Sequence, residues 1–115
     1  MEGSRSYPKA ARVRRRREFL SLQRDGRRRH TTSFVVIQRA SAADASRLGV
    51  TVSSRVGNAV VRNRLKRIVR EIFRQRRSSL PRSVDLVVIA KPGADQLTYA
   101  QAATELERAL ELTGR

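Results

Sequence analysis

The chain has 115 residues, with 26 Lys+Arg against 10 Asp+Glu and a formal net charge of +16 at pH 7. That length fits one domain of about 100–150 residues and excludes a long multidomain enzyme, while 39% hydrophobic residues suffice for one modest core and exclude disorder throughout. So much like charge repels itself in the compact state unless a polyanion neutralises it. Nucleic acid is therefore the first expected partner, and an anionic membrane surface the second.

The charge is uneven in kind and in place. Of the 26 cations 23 are Arg, and only Lys9, Lys66 and Lys91 are Lys. Arg grips phosphate bidentately and stacks on bases, although codon usage in a GC-rich genome explains an Arg excess equally well. Residues 1–82 carry 23 Lys+Arg against 5 Asp+Glu, and residues 83–115 carry 3 against 5. The polyanion is thus expected on the first two thirds, with the last third as scaffold. There is no Cys, so disulfides and thiolate chemistry are excluded. The single His30 excludes a His-rich metal site. No run approaches the roughly 18–20 apolar residues of a membrane span, and Met1 to Arg17 lacks the apolar segment of a secretory signal.

In chain order, residues 1–13 read as a basic N-terminal arm and 14–115 as a single domain. A short helix is predicted from about Arg16 to Arg24, with Gly26 as its stop. Arg27, Arg28 and Arg29 form a cationic knot, with room for a short strand before Ser33. Ser33–Arg39 is β-branched and aromatic and reads as a strand. Residues 40–46 read as a loop, and Arg47–Ser53 alternates as a strand with Leu48, Val50 and Val52 on one face. The two strands are expected to pair as an antiparallel hairpin. Val84–Ala90 is a near-continuous apolar run, as in a strand buried on both faces and often paired in parallel. Within it, Asp85 is expected at an edge or a helix cap. Thr98–Leu112 is expected to be a helix with Ala103, Leu106 and Leu110 inward and Glu105, Glu107 and Glu111 toward water. The sum is an α+β sandwich, one sheet carrying helices.

The segment Arg55–Arg77 is the most informative. Val61, Leu65, Ile68 and Ile72 recur at helical spacing, while Arg62, Lys66, Arg70, Arg74 and Arg77 share another arc with Arg67 at its margin. Asn58 is a suitable N-cap. Such a stripe destabilises an isolated helix but releases counterions when phosphates neutralise it, and Glu71 is the only acid between Arg55 and Arg77. The helix N-terminus, Ser53, Ser54 and an unusual backbone angle at Gly57 suit phosphate, or serve ordinary capping. Phe19 suits stacking on a base or a place in the core; Phe34 and Phe73 read as core. Paired carboxylates, a nucleophile with its base and a metal cluster are all missing from the sequence pattern. By residue inventory this is a binding protein without catalytic residues of its own.

The run Arg55-Val56-Gly57-Asn58-Ala59-Val60-Val61-Arg62-Asn63-Arg64-Leu65-Lys66-Arg67-Ile68-Val69-Arg70 resembles the signature of the protein subunit of bacterial ribonuclease P, and the likeness covers about residues 12–112. Glu18-Phe19 and Gly26 resemble that family's opening helix. Leu48–Ser53 resembles its strand before the signature, Asp85–Ala94 its last strand and turn, and Thr98-Tyr99 the start of its final helix. The resemblance implies a four-stranded sheet with three helices, like a domain of a small-subunit ribosomal protein, with a left-handed β-α-β crossover. It implies a tRNA-processing endoribonuclease acting as a ribonucleoprotein in the cytoplasm. Its catalytic RNA subunit supplies the active site and holds Mg²⁺. The implied partners are that RNA and precursor tRNA, with one monomeric protein per RNA and no membrane.

By position the implied RNA-binding residues are Arg55, Asn58, Arg62, Asn63, Arg64, Lys66, Arg67, Arg70 and Arg74. The cleft for the 5′ leader of precursor tRNA is expected to include Phe19, Arg28, Ile37 and Ser53. Gln23 and Ile37 stand where the family often has aromatics, and Ser53-Ser54-Arg55 where it usually has S-K-K. Arg27–Arg29 are expected to shift leader binding toward phosphate contacts. The alternatives are a structural RNA-binding protein, such as a ribosomal protein of related fold, and a basic DNA-binding or membrane-surface helix.

Overall fold

The structure, a computed structural model, describes residues 16–41, 45–80 and 82–110. The expected arm at 1–13 and the end of the last helix lie outside the described residues. Seven main elements follow in order: α1 Arg16–Asp25, β1 Arg27–His30, β2 Phe34–Ala40, β3 Arg47–Thr51, α2 Ala59–Arg76, β4 Val84–Ala90 and α3 Tyr99–Ala109. The sheet order is β1-β2-β4-β3. β1 pairs antiparallel with β2, β2 antiparallel with β4, and β3 parallel with β4. The parallel neighbours β3 and β4 are joined through α2.

One expectation about the strands is corrected, and the short strand expected before Ser33 is present. β2 and β3 are not a hairpin, because β4 lies between them. The reason is burial: six of the seven β4 residues are buried, and only a central strand covered on both faces satisfies such a run. The Arg27–Arg29 knot is the body of edge strand β1. An edge strand leaves its side chains room to reach water, and charge there discourages pairing with another sheet.

Strand alternation sends side chains into two cores. Phe34 and Val36 of β2, Leu48 of β3, and Val84, Leu86, Val88 and Ala90 of β4 meet Leu65, Val69, Ile72 and Phe73 of α2 and Ala102, Ala103, Leu106 and Ala109 of α3. The opposite face supplies Val35, Ile37 and Val87, which α1 covers with Leu22, with Phe19 and Ile89 at the margin. The sheet is thus sandwiched between α1 and the α2–α3 layer.

α2 begins where expected. The Asn58 side chain accepts from the Val61 amide at 3.0 Å. Gly57 does not supply a left-handed angle; among the described glycines only Gly93 has positive φ, at 100°. Gly57 supplies space instead, since a Cβ there would lie 2.7 Å from Val61 Cγ1. α3 is closed by reciprocal bonds between Thr98 and Gln101, a capping box.

Glu105 and Glu107 do not face water as expected, and Glu111 lies outside the described residues. Glu105 accepts from Thr31 Oγ1 at 2.7 Å, and from the Ser33 amide and hydroxyl at 2.9 Å each. Glu107 is paired with Arg76. Asp85, at 3% exposure, is neither at an edge nor a cap but buried in the central strand. Each acid has found a donor because the tertiary fold carries one to it, and helix periodicity does not contain that information.

Candidate nucleic-acid interface

The exposed side of α2 carries the cationic stripe. Leu65, Val69, Ile72 and Phe73 are buried, which fixes the rotation of the helix and leaves Arg62, Lys66 and Arg70 half-buried and Asn63 and Arg67 exposed. At about 100° per residue Arg62, Lys66, Arg70, Asn63 and Arg67 follow one another across a single arc. Asn63, Arg67, Arg70, Glu71 and Arg74 line one surface groove. Arg62 Nε is shielded from solvent without a hydrogen-bond acceptor. A buried donor left unmatched is unusual in a folded chain.

Three expected contact residues already hold partners within the chain. Arg64 lies on another side of the helix, where Nη2 donates to the Leu97 carbonyl at 3.2 Å. Arg74 is bound to Glu71, with Nε to Oε1 at 3.1 Å. That bond is the main cause holding the Glu71 carboxyl below its usual range. The Asn58 side-chain oxygen is committed to the cap. Arg55 is exposed in the turn from β3 to α2, which closes through the Val56 amide on the Ser53 carbonyl at 3.1 Å.

The second candidate surface is the opposite face of the sheet, beside α1. Phe19 and Ile89 stand at the margin of the small core there. The register places Thr51 beside Ile89, and Ile89 beside Val35, so these side chains share one face. Period-2 alternation within Val84–Ala90 was the signal for Ile89, but it says nothing of which helix covers which face. Ser53, exposed, lies two residues beyond Thr51.

Ile37 is fully buried beneath α1. It forms the floor of this face and cannot touch a ligand, which corrects the expectation placed on it. The Arg triplet is divided by the pleat. Arg28 pairs with Ile37, and Arg27 and Arg29 pair with Gln38 and Val36, so only Arg28 projects to the α1 side. Arg28 Nη2 reaches the Gln23 carbonyl at the end of α1, at 3.3 Å.

No His/Cys/Asp/Glu group able to hold a metal occurs among the described residues. Of the described acids on the α1 side, Glu18 and Asp85 are tied to Arg47, and Asp25 to Arg24. No described helix is long and apolar enough to cross a membrane.

A basic helix mounted on one face of a mixed sheet, with a part-apolar surface edged by Arg28 on the other, defines a small α+β RNA-binding domain. The comparisons narrow that class. The Ribonuclease P family model matches residues 7–113. The ribonuclease P protein component of Citrifermentans bemidjiense is 45% identical over 106 residues, covering 92% of this chain and 90% of that protein. That of Desulfovibrio desulfuricans is 46% identical over 103 residues, covering 86% and 79%. Among solved structures, the RNase P protein of Staphylococcus aureus superposes with a TM-score of 0.82 at 34% identity, covering 92% of this chain and 97% of that one. The Thermotoga maritima RNase P protein gives 0.79 at 36% identity, covering 87% and 94%. The chain belongs to the bacterial ribonuclease P protein family.

Proposed function

We propose that this chain is the protein subunit of ribonuclease P, binding a catalytic RNA along α2 and the 5′ leader of precursor tRNA in the cleft beside α1. The observation that carries this reading is the placement of the family signature. Lys66, Arg67 and Arg70 lie on one flank of a helix whose other side is locked into the core, with Arg62 half-buried at the margin. Each phosphate neutralised there adds affinity independent of sequence. Asn63 lines the same groove, and Arg55 extends the cationic surface at the start of the helix.

The leader is a single strand, and the cleft offers what a single strand uses: an aromatic for stacking, Phe19, and cations for the backbone, Arg28 first. Ser53 and Thr51 supply hydroxyls at the end of β3. That strand leads through one short turn into α2, so a single stretch of chain couples the two surfaces.

In this reading hydrolysis belongs to the RNA. Mg²⁺, held mainly by the RNA subunit, would supply the activated water when bound. The protein's part is to bind and orient, because the carboxylates nearest the cleft are already held by Arg47. One protein acts per RNA, in the cytoplasm. Residues 14–115 act as one RNA-binding domain, preceded by the basic arm.

The test combines the protein, the catalytic RNA and a leader-bearing precursor tRNA at low Mg²⁺. Protein-dependent cleavage at the mature 5′ end is expected. RNA binding without any gain in cleavage would instead favour a purely structural RNA-binding protein.

A further inference from the structure

The α1 face of the sheet changes character along its length. Toward one end it presents Val35, Ile37 and Val87. At the other, the same alternation brings Arg39, Asp85 and Arg47 side by side on β2, β4 and β3. Arg47 holds Asp85 with two parallel bonds, Nε–Oδ1 and Nη2–Oδ2, both 3.0 Å. Its third arm, Nη1, reaches Glu18 of α1 at 2.9 Å. Arg39 Nη1 donates to Ser21 Oγ of α1 at 2.6 Å, and Arg39 Nη2 lies 3.9 Å from Asp85. Asp85 is therefore the root of a clamp that reaches two points on α1 through two arginines.

Stability alone does not account for this cluster. Burying a carboxylate is expensive, and packed apolar residues in place of a buried ion pair are often as stable or more so. A bidentate Arg–carboxylate pair adds direction, because its planar fork tolerates only one arrangement. α1 needs such direction. It is ten residues long, and Leu22 is its one buried side chain. Apolar contact through Leu22 with Phe19 at the margin lets so short a helix slide, whereas hydrogen bonds to fixed points on the sheet do not.

We infer that Asp85, Arg47 and Glu18, with Arg39, form a positioning clamp that sets the distance and tilt of α1 over the sheet and so decides whether the cleft beside Phe19 accepts the leader. This rests on the proposed reading of that cleft. None of the four touches the leader; they act through the placement of α1. The inference separates two properties of one small protein, assembly with the catalytic RNA through α2 and discrimination of precursor from mature tRNA through the seating of α1.

The experiment reconstitutes the full chain with its catalytic RNA and measures KM and kcat on precursor tRNA, affinity for mature tRNA, and affinity for the catalytic RNA. Glu18→Gln weakens the arm to α1 and leaves the buried Asp85–Arg47 pair intact, so folding is not at stake. Arg47→Lys keeps the charge and removes the fork. Asp85→Asn removes the root. Glu18→Gln and Arg47→Lys are each expected to raise KM for precursor about five- to tenfold, the scale of one charge-assisted bond. Saturating kcat and both other affinities should stay unchanged. Amide exchange should quicken in α1 and not in α2.

Retention of the wild-type KM in Glu18→Gln and Arg47→Lys would overturn the clamp, as would a loss of catalytic-RNA affinity parallel to the rise in KM. If the wild-type assembly itself shows no preference for precursor over mature tRNA, the leader-cleft reading fails, and that failure is visible before any variant is made.

Discussion

Glu105 and Ser33 are 72 residues apart in the chain, yet one carboxylate accepts both the amide and the hydroxyl of that serine, each at 2.9 Å. The bond fastens α3 to the start of β2, and Thr31 adds a third donor at 2.7 Å. Burial pushes the Glu105 carboxyl up, but the bonds from Thr31 and Ser33, with Lys91 nearby, outweigh it and leave the group below its ordinary value. A carboxyl depressed by folding contributes its stability above the unfolded value of about 4.3 and loses it as pH falls through the lower folded value.

Glu105→Ala is therefore expected to cost about 1–3 kcal/mol at pH 7, the range for hydrogen bonds to a charged group. The gap from wild type should narrow as pH falls below about 4. Urea unfolding at a series of pH values measures it. A gap that stays constant to pH 2.5 would mean that packing, not the ionised carboxylate, is what Glu105 contributes.

The arginine triplet should divide by function. Arg28 projects to the α1 side and Arg27 and Arg29 to the other. Arg28→Ala is expected to lower affinity for leader-bearing precursor relative to mature tRNA by about tenfold, the worth of one charge-assisted contact. Arg27→Ala and Arg29→Ala should leave that ratio unchanged. Equal effects from all three would indicate diffuse electrostatic attraction in place of a contact in the cleft.

On α2, Arg67→Ala and Lys66→Ala should each reduce the slope of log K against log salt for the catalytic RNA by about 0.7–0.9. Filter binding between 50 and 500 mM salt gives the slope. Arg74→Ala should reduce it less, since Glu71 already neutralises that guanidinium. A slope untouched by Arg67→Ala would remove that residue from the interface.

Gly26 tests the seat of α1 from its other end. A Cβ at this position would fall 2.6 Å from Ile37 Cγ2 and 2.7 Å from the Leu22 carbonyl oxygen. The carbonyl belongs to the last turn of the helix and cannot swing aside. Gly26→Ala should destabilise by about 1–3 kcal/mol, as overpacking does, and raise KM for precursor because α1 must shift. Full stability with an altered KM would mean that the helix moves without resistance, and unaltered values of both would show that the close approach is absent in solution.

Much of the protein was legible in its sequence because the signals concerned are local. The α2 spacing from Val61 to Ile72, the Asn58 cap and the apolar run of β4 depend on residues within a few positions of one another, and periodicity reads them directly. Separations of 38 residues, as between Arg47 and Asp85, or 72, as between Ser33 and Glu105, are not read in that way. Nothing in the sequence near Asp85 or Glu105 names Arg47 or Ser33 as its partner, so those acids were expected at an edge or in water.

The sequence by itself determined the expectation of a polyanion partner, the cationic stripe on α2 and the family, since charge, period and motif are properties of the string. The tertiary structure alone decided that β4 separates β2 from β3, that Ile37 is floor and not contact, that Arg28 parts company with Arg27 and Arg29, and that Asp85 anchors α1. Each of these depends on which strand lies beside which. A strand's two faces are equivalent until its neighbours and the helices above and below give one of them water and the other a partner.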